Sequence, residues 1–344
     1  MRAVVNAAYE PTAVPAPSDE AITFHRALPG YAPTPVHRLE TGAGSVDIKD
    51  ESKRLGLPAF KILGASWAAE RLLRDEPGVR MLVAASAGNH GRAVARVAKL
   101  RGLDCRVFLP RRALTVRREA IAAEGAEVVV VDGSYEDAVA AAERAATQDG
   151  AALVADVGEN RTAAWVIDGY ATLFAEAAAQ TAYDVLLVPV GVGSLAAAAA
   201  RHGAQVGALV VGVEPVTAAC LAASLATGKP TSVPTPGTTM AGLDCADVSP
   251  AAWPSLRRGI AGTVAVTDEE AAAAMRELDG AGLAIGESGA STLAGLRALL
   301  EDDDCRPLRE RLGVDSSKRV LLVASEGRTG SGPGPTPGPE PSAS

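Results

Sequence analysis

Met81-Leu82-Val83-Ala84-Ala85-Ser86 runs straight into Ala87-Gly88-Asn89-His90-Gly91, and from Gly91 a helix-spaced stretch reaches Arg101 and stops at Gly102. An uncharged apolar run of this length reads as a strand buried on both faces, and the small residues behind it read as a turn into a helix. The alternation continues downstream. Residues 105–109 predict a strand ending at Pro110, and residues 116–124 a helix ending at Gly125. Residues 127–132 predict a strand, 135–147 a helix and 153–156 another strand. Strands without polar alternation, separated by helices, point to an α/β protein with a parallel sheet covered on both faces.

The pattern extends in both directions. Residues 45–50 predict a strand and 65–74 a helix, while the Pro- and Ala-rich residues 1–35 read as irregular. A second set follows: a helix over 171–180, a strand over 184–190, a turn at 191–194, a helix over 195–201 and a strand over 208–214. Thr267 and Glu270 form a capping box at the start of a helix over 267–278. Residues 319–325 predict the last strand. Residues 331–344, SGPGPTPGPEPSAS, cannot fill a core and predict a disordered tail. A chain of 344 residues exceeds what one core supports, so two lobes are expected.

Composition narrows the class. The net charge is −8, and the basic residues reach no further than the pairs Arg111-Arg112 and Arg117-Arg118, which argues against a nucleic-acid partner. No apolar run approaches membrane-spanning length, and the N-terminus lacks a secretory apolar region. A cytoplasmic protein is expected. The four cysteines, Cys105, Cys220, Cys245 and Cys305, form no CxxC, and the four histidines form no HxH or HExxH, so no metal site is expected.

Three segments carry chemistry. Lys61 stands among Phe60, Ile62 and Leu63. A lysine is ordinarily a solvated surface charge, but an amine held among apolar groups has a lowered pKa and can attack an aldehyde. Ser86-Ala87-Gly88-Asn89-His90-Gly91 is either a plain strand-to-helix turn or a carboxylate site built from helix N-terminal amides. Gly191-Val192-Gly193-Ser194-Leu195 follows a strand and opens a helix, as a phosphate-binding loop does. With Glu214 near the end of the next strand it also fits a dinucleotide fingerprint, although such a fingerprint usually opens its domain.

Taken together, these segments resemble the fold-type II pyridoxal phosphate (PLP) enzymes, the tryptophan synthase β and threonine dehydratase superfamily, and within it the diaminopropionate ammonia-lyases. The resemblance runs through residues 49–57 (KDESKRLGL), 60–64 (FKILG), 88–91 (GNHG), 169–173 (GYATL), 191–195 (GVGSL), 239–243 (TMAGL), 286–290 (GESGA) and 325–327 (SEG), in family order. It implies two αβα lobes with parallel-rich sheets and the cofactor between them. Residues 1–69 with 169–330 would form the large domain and 70–168 the small one. Lys61 would hold PLP as a Schiff base. Asn89 would bond the ring's phenolic oxygen, Gly191, Val192, Gly193 and Ser194 the phosphate, and Ser325 would face the ring nitrogen. Ser86, Ala87, Gly88, His90, Glu287 and Ser288 would surround the substrate, unless Glu287 and Ser288 merely cap a helix near Ser291. The implied reaction is α,β-elimination from a β-substituted L-amino acid, 2,3-diaminopropionate giving pyruvate and ammonia through aminoacrylate, in a cytoplasmic homodimer. Serine or threonine dehydration, β-replacement, or a non-catalytic PLP-binding relative remain as alternatives.

Departures from the pattern are informative. Ala87 stands where the lyases carry an aspartate base. Asp156, expected at a strand end, stands at the place of the second acid, which serves the L-substrate face. Ala324 and Arg328 depart from the family's sequence around Ser325, so either Ala324 or Ser325 could face the ring nitrogen. The stretch from Asp156 to Tyr170 is shorter than the family's. Cys220 and Cys245 occupy the places of a family cysteine pair, read here as buried thiols.

Overall fold

The computed structural model describes residues 2–41, 44–314 and 318–328. The tail expected at 331–344 lies outside them. The strands are β1 (Ala3–Val5), β2 (Val36–Thr41), β3 (Gly44–Asp50), β4 (Met81–Ala85), β5 (Asp104–Pro110), β6 (Glu127–Val131), β7 (Ala151–Leu153), β8 (Val185–Pro189), β9 (Leu209–Pro215), β10 (Gly262–Val266) and β11 (Val320–Ala324). They form two sheets. The smaller, in the order β6-β5-β4-β7, is parallel throughout. The larger runs β1-β10-β9-β8-β11-β3-β2, parallel except at its two antiparallel edges. The α/β architecture read from the alternation is therefore present.

Each sheet is a middle layer. Helix Asn89–Arg101 covers one face of the small sheet and helix Tyr135–Ala145 the other. Helix Ser194–Val206 lies on one face of the large sheet, and helix Glu287–Glu301 on the other. The last strand, β11, has all five residues buried, as its unbroken apolar sequence requires. Helix Lys61–Asp75 packs against both helix Asn89–Arg101 and helix Arg161–Gly169. Among the described residues no helix is long and apolar enough to cross a membrane.

Several expectations change. Residues 1–35 are not wholly irregular. β1 pairs antiparallel with β10, Val4 opposite Thr263. Helix Asp19–Arg26 is capped by Ser18, with Asp19 and Glu20 in its first turn. Those N-terminal signals were present in the sequence, but a helix of eight residues between prolines has little periodicity. His25 of that helix is buried: Nδ1 lies 2.7 Å from Thr172 Oγ1 and Nε2 3.0 Å from the Leu63 carbonyl. Burial drives its pKa down to about 3. Strand β7 ends at Leu153, so Asp156 lies beyond the strand and not at its end. The helix expected near Ser291 begins at Glu287, behind Gly286. Glu214 accepts N–H groups of Leu221 at 2.7 Å and Ala222 at 2.9 Å, and burial raises its carboxyl to about 8. It caps helix Cys220–Thr227 and offers nothing to a ribose.

A buried ionic cluster fixes the chain ahead of Lys61. Lys49 donates to Glu176 at 2.9 Å and to the Thr34 carbonyl at 2.7 Å. Arg54 donates from Nε to Glu51 at 2.8 Å and with both terminal nitrogens to Glu176 at 2.8 Å. The side chains of Lys49, Glu51 and Arg54 are fully enclosed, with Glu176 3% exposed. Burial works against the charge on Glu176, yet Arg54 and Lys49 hold its carboxyl below the usual range. Removing one member leaves an uncompensated charge in the interior. Glu176→Gln is expected to cost about 3 kcal/mol or more, read as a lower urea midpoint at unchanged slope.

Candidate active site

The site is built where several parallel strands end on the same side. The turn after β4 supplies residues 86–91, the turn after β8 supplies 190–194, the chain after β11 supplies 325–327, and the segment beyond β7 supplies Asp156. Carboxyl ends of parallel strands are where α/β folds gather ligand-binding loops. Lys61 is the first residue of its helix, behind the uncapped Phe60.

Lys61 Nζ donates to Asp156 Oδ2 at 2.9 Å, with the lysine side chain 23% exposed and the aspartate 14%. This overturns the lowered lysine pKa expected from its apolar neighbours. Burial does favour the neutral amine, but the facing carboxylate outweighs it and Lys61 is raised. Burial likewise opposes ionisation of Asp156, yet its cationic surroundings, His90 when protonated and Lys61, hold its carboxyl far below the usual range. The pair is an ammonium and a carboxylate in contact.

The glycine loop adjoins this pair. Gly193 has φ +93° and caps helix Ser194–Val206 without any side-chain hydrogen bond, so first-turn N–H groups are left for an anion. A Cβ on Gly191 would lie 2.7 Å from the Gly242 carbonyl and 3.1 Å from Cys245 Sγ, which explains the absence of a side chain there. Ser194 Oγ donates to the Asp156 carbonyl at 3.1 Å, tying this loop to the Lys61 partner. Cys220 Sγ lies 3.5 Å from the Gly191 carbonyl, and Cys220 and Cys245 are both free thiols bordering the loop.

The Asn89 turn faces the chain after β11. Asn89 Nδ2 donates to Glu326 Oε2 at 2.7 Å, and its second N–H remains for another acceptor. Burial raises the Glu326 carboxyl. Both residues line a cavity of about 310 Å³ together with Ala87, Gly88, Gly242 and Glu287. Lys61 and Asp156 are not among its lining residues, so the cavity lies beside the ion pair and not over it. Ser86 Oγ accepts the Gly88 N–H at 3.2 Å, folding the turn on itself. The Ser325 carbonyl accepts the Phe60 N–H at 3.3 Å, which brings Ser325 beside Lys61. Ala324 is packed in the core with Leu322, Val46 and Ile48. Ala324 has no hydroxyl to offer, and Ser325, the first residue beyond β11, is the one whose backbone meets Phe60. Ser288 is buried beside Glu326, whose carboxyl its hydroxyl and backbone both face, with Oγ 3.0 Å from where a Cβ on Gly242 would be.

His90 and the residues that sequence reading passed over complete the picture. His90 is turned inward, with Nε2 2.9 Å from the Val154 carbonyl and Nδ1 3.7 Å from Asp156 Oδ2. Tyr170 packs edge-on against Phe60 at 4.7 Å, and its buried hydroxyl faces the Lys61 amine just outside ordinary hydrogen-bond geometry. Tyr135 opens its helix beside β4, its hydroxyl 3.4 Å from the Ala85 carbonyl. Tyr170 and Glu326 stood inside recognised blocks. Tyr135 carried no signal beyond its rarity as an aromatic.

The residues present are a lysine amine, a glycine-lined helix N-terminus able to take a phosphate and an amide donor able to meet a ring oxygen. Together they fit pyridoxal phosphate, and they define a lysine-anchored cofactor enzyme. Comparison with known proteins agrees. The "Pyridoxal-phosphate dependent enzyme" family matches residues 27–326. The diaminopropionate ammonia-lyase of Salmonella typhimurium is 34% identical, covering 90% of this chain and 89% of its own. The crystal structure of the Escherichia coli diaminopropionate ammonia-lyase with an aminoacrylate-PLP azomethine reaction intermediate superposes with a TM-score of 0.86 at 30% identity, covering 94% of this chain and 93% of that one. Maize serine racemase gives a TM-score of 0.80 at 26% identity, covering 92% of this chain and 95% of that one. The chain belongs to the pyridoxal-phosphate dependent enzyme family, and within it to the diaminopropionate ammonia-lyases.

Gly193 tests the cradle. An alanine there requires positive φ from a residue with a Cβ, and that Cβ would lie 2.5 Å from Leu256 Cδ1. Gly193→Ala is expected to weaken PLP binding at least about tenfold, a loss of about 1.4 kcal/mol, measured by titrating apoenzyme with cofactor and following its absorbance.

Proposed function

We propose that this protein is a PLP-dependent ammonia-lyase acting on L-2,3-diaminopropionate, with pyruvate and ammonia as products. The observation that carries this reading is the Lys61–Asp156 contact at 2.9 Å beside the Gly191–Ser194 loop. Lys61 would be the covalent anchor. Gly191, Val192, Gly193 and Ser194 would hold the phosphate, Asn89 the ring oxygen and Ser325 the ring nitrogen. Pyridoxal phosphate, when bound, withdraws electrons and so acidifies the substrate Cα–H.

The chain's own groups do the rest. In this reading Asp156 stays a carboxylate while Lys61 is charged, Lys61 loses its proton to solvent, and Oδ2 would then take the Cα proton. The Ser86–Gly91 turn would hold the substrate carboxylate at its helix N-terminus. Glu287 and Glu326, which line the cavity, would face the departing amine, with Ser288 behind them. Ala87 has no group that can carry a proton, which leaves Asp156 as the base and supports the L-substrate alone. The E. coli relative has been solved with D-serine, at a TM-score of 0.85 and 29% identity.

The domain division proposed is 1–69 with 169–330 against 70–168. Its support is that all strands of the small sheet fall within 81–153. A cytoplasmic homodimer is the form that the resemblance implies.

Pyruvate formation from the two enantiomers of 2,3-diaminopropionate tests the stereochemical reading. The L form should turn over and the D form should be slower by about 100-fold or more, the scale of a missing acid-base group. Equal rates would refute it. Asp156→Asn should lower kcat with the L form by about the same factor or more.

A further inference from the structure

We propose that His90 is a positioning residue that acts through Asp156: its unprotonated Nδ1 accepts a hydrogen bond from the Asp156 carboxyl once that group has taken the substrate proton. This rests on the reading of Asp156 as the base.

The tautomer follows from the contacts. Nε2 lies 2.9 Å from the Val154 carbonyl. A carbonyl only accepts, so Nε2 must carry the proton and donate it. The side chain is 3% exposed, and burial lowers its pKa, so the ring is neutral. Nδ1 is then a lone pair. It is buried without a hydrogen-bond partner and faces Asp156 Oδ2 at 3.7 Å.

That orphaned acceptor discriminates between the two states of Asp156. Facing a carboxylate, it offers no donor, and two acceptors gain nothing from each other. Facing a carboxylic acid, it receives the new O–H. A buried acceptor that is satisfied in only one protonation state favours that state. With the ring neutral, Nδ1 raises the proton affinity of Asp156, whereas the Lys61 cation at 2.9 Å, and the ring itself when protonated at low pH, lower it. When Lys61 carries no charge, the His90 contribution is left to prevail. In the step itself the Cα–H electrons stay with the substrate, the proton forms a bond to Oδ2, and His90 keeps the same proton before and after. The other groups that interact with Asp156 are Tyr135, Tyr170 and Cys245. Burial raises all three, Cys245 to about 11, so they stay neutral across the working range. Val154 and Asp156 lie two residues apart, so the ring also braces the segment that carries the base.

Two measurements on the holoenzyme test this. Long-range proton–nitrogen correlation spectra of histidine-labelled protein should show His90 as the Nε2–H tautomer between pH 6 and pH 8. An imidazolium, or a proton on Nδ1, overturns the proposal. His90→Gln keeps an Nε2-like donor for Val154 and removes the acceptor at the Nδ1 position. It should retain cofactor absorbance, lower kcat about tenfold or more, shift the acid limb of kcat to lower pH, and enlarge the isotope effect with α-deuterated substrate. An unchanged isotope effect and acid limb in a variant that still holds cofactor also overturns it. If H90Q does not fold, the tautomer in the unaltered enzyme decides. If the unaltered enzyme releases no pyruvate from diaminopropionate, the functional reading fails instead, which the tautomer measurement distinguishes.

Discussion

Two cations and two carboxylates, Lys49, Arg54, Glu51 and Glu176, lie almost wholly out of water where β3 turns toward Lys61. Ions in that position are tolerable only as a complete set with their hydrogen bonds made, so the set dictates where this stretch of chain can lie. Arg54 and Leu57 pair their backbones inside it. The Pro58 carbonyl then accepts from the Gly327 N–H, and Phe60 donates to the Ser325 carbonyl. By the time the chain reaches Lys61 it has been tied to the helix at 171–180 and to the end of β11. Lys61 is held by a rigid entry and not by a free loop, which is the condition that a positioned nucleophile would need.

Asp156 answers Lys61 from the other sheet's side of the molecule. Its segment leaves β7, is braced by His90 through Val154, and is tied to the glycine loop through Ser194. The Asp156 carboxylate thus meets Lys61 and faces His90 of the helix at 89–101, while the backbone carbonyl of the same residue holds the glycine loop. Placing all three on one acid couples its protonation to whether Lys61 is charged. In the proposed reading, that coupling would let a strongly acidic resting carboxylate become a competent base only once the lysine has lost its positive charge.

The buried strands and the major helices were legible because their signals are local. Buried parallel strands such as β4 and β11 are continuous apolar runs, and Thr267 with Glu270 marks a helix start by two side chains alone. The site's grouping was legible only through motif order, since Lys61, Asn89 and Gly191 are far apart in sequence. What could not be read is what depends on a distant partner. The Lys61 pKa was misjudged because its flanking residues are apolar while its deciding neighbour is 95 residues away. The direction of the His90 ring depends on Val154, and the capping role of Glu214 on a helix that its own strand does not reveal. β1 is three residues long and exists only because β10 offers it an edge.

The central claim is that Lys61, and no other amine, anchors the cofactor. Borohydride reduction of the PLP-loaded enzyme followed by peptide mapping tests it directly. The account predicts a phosphopyridoxyl group on Lys61, with no labelled peptide when Lys61→Ala is treated in the same way. A label on Lys49, Lys53 or any other lysine, or an undiminished label in the Lys61→Ala protein, would contradict it.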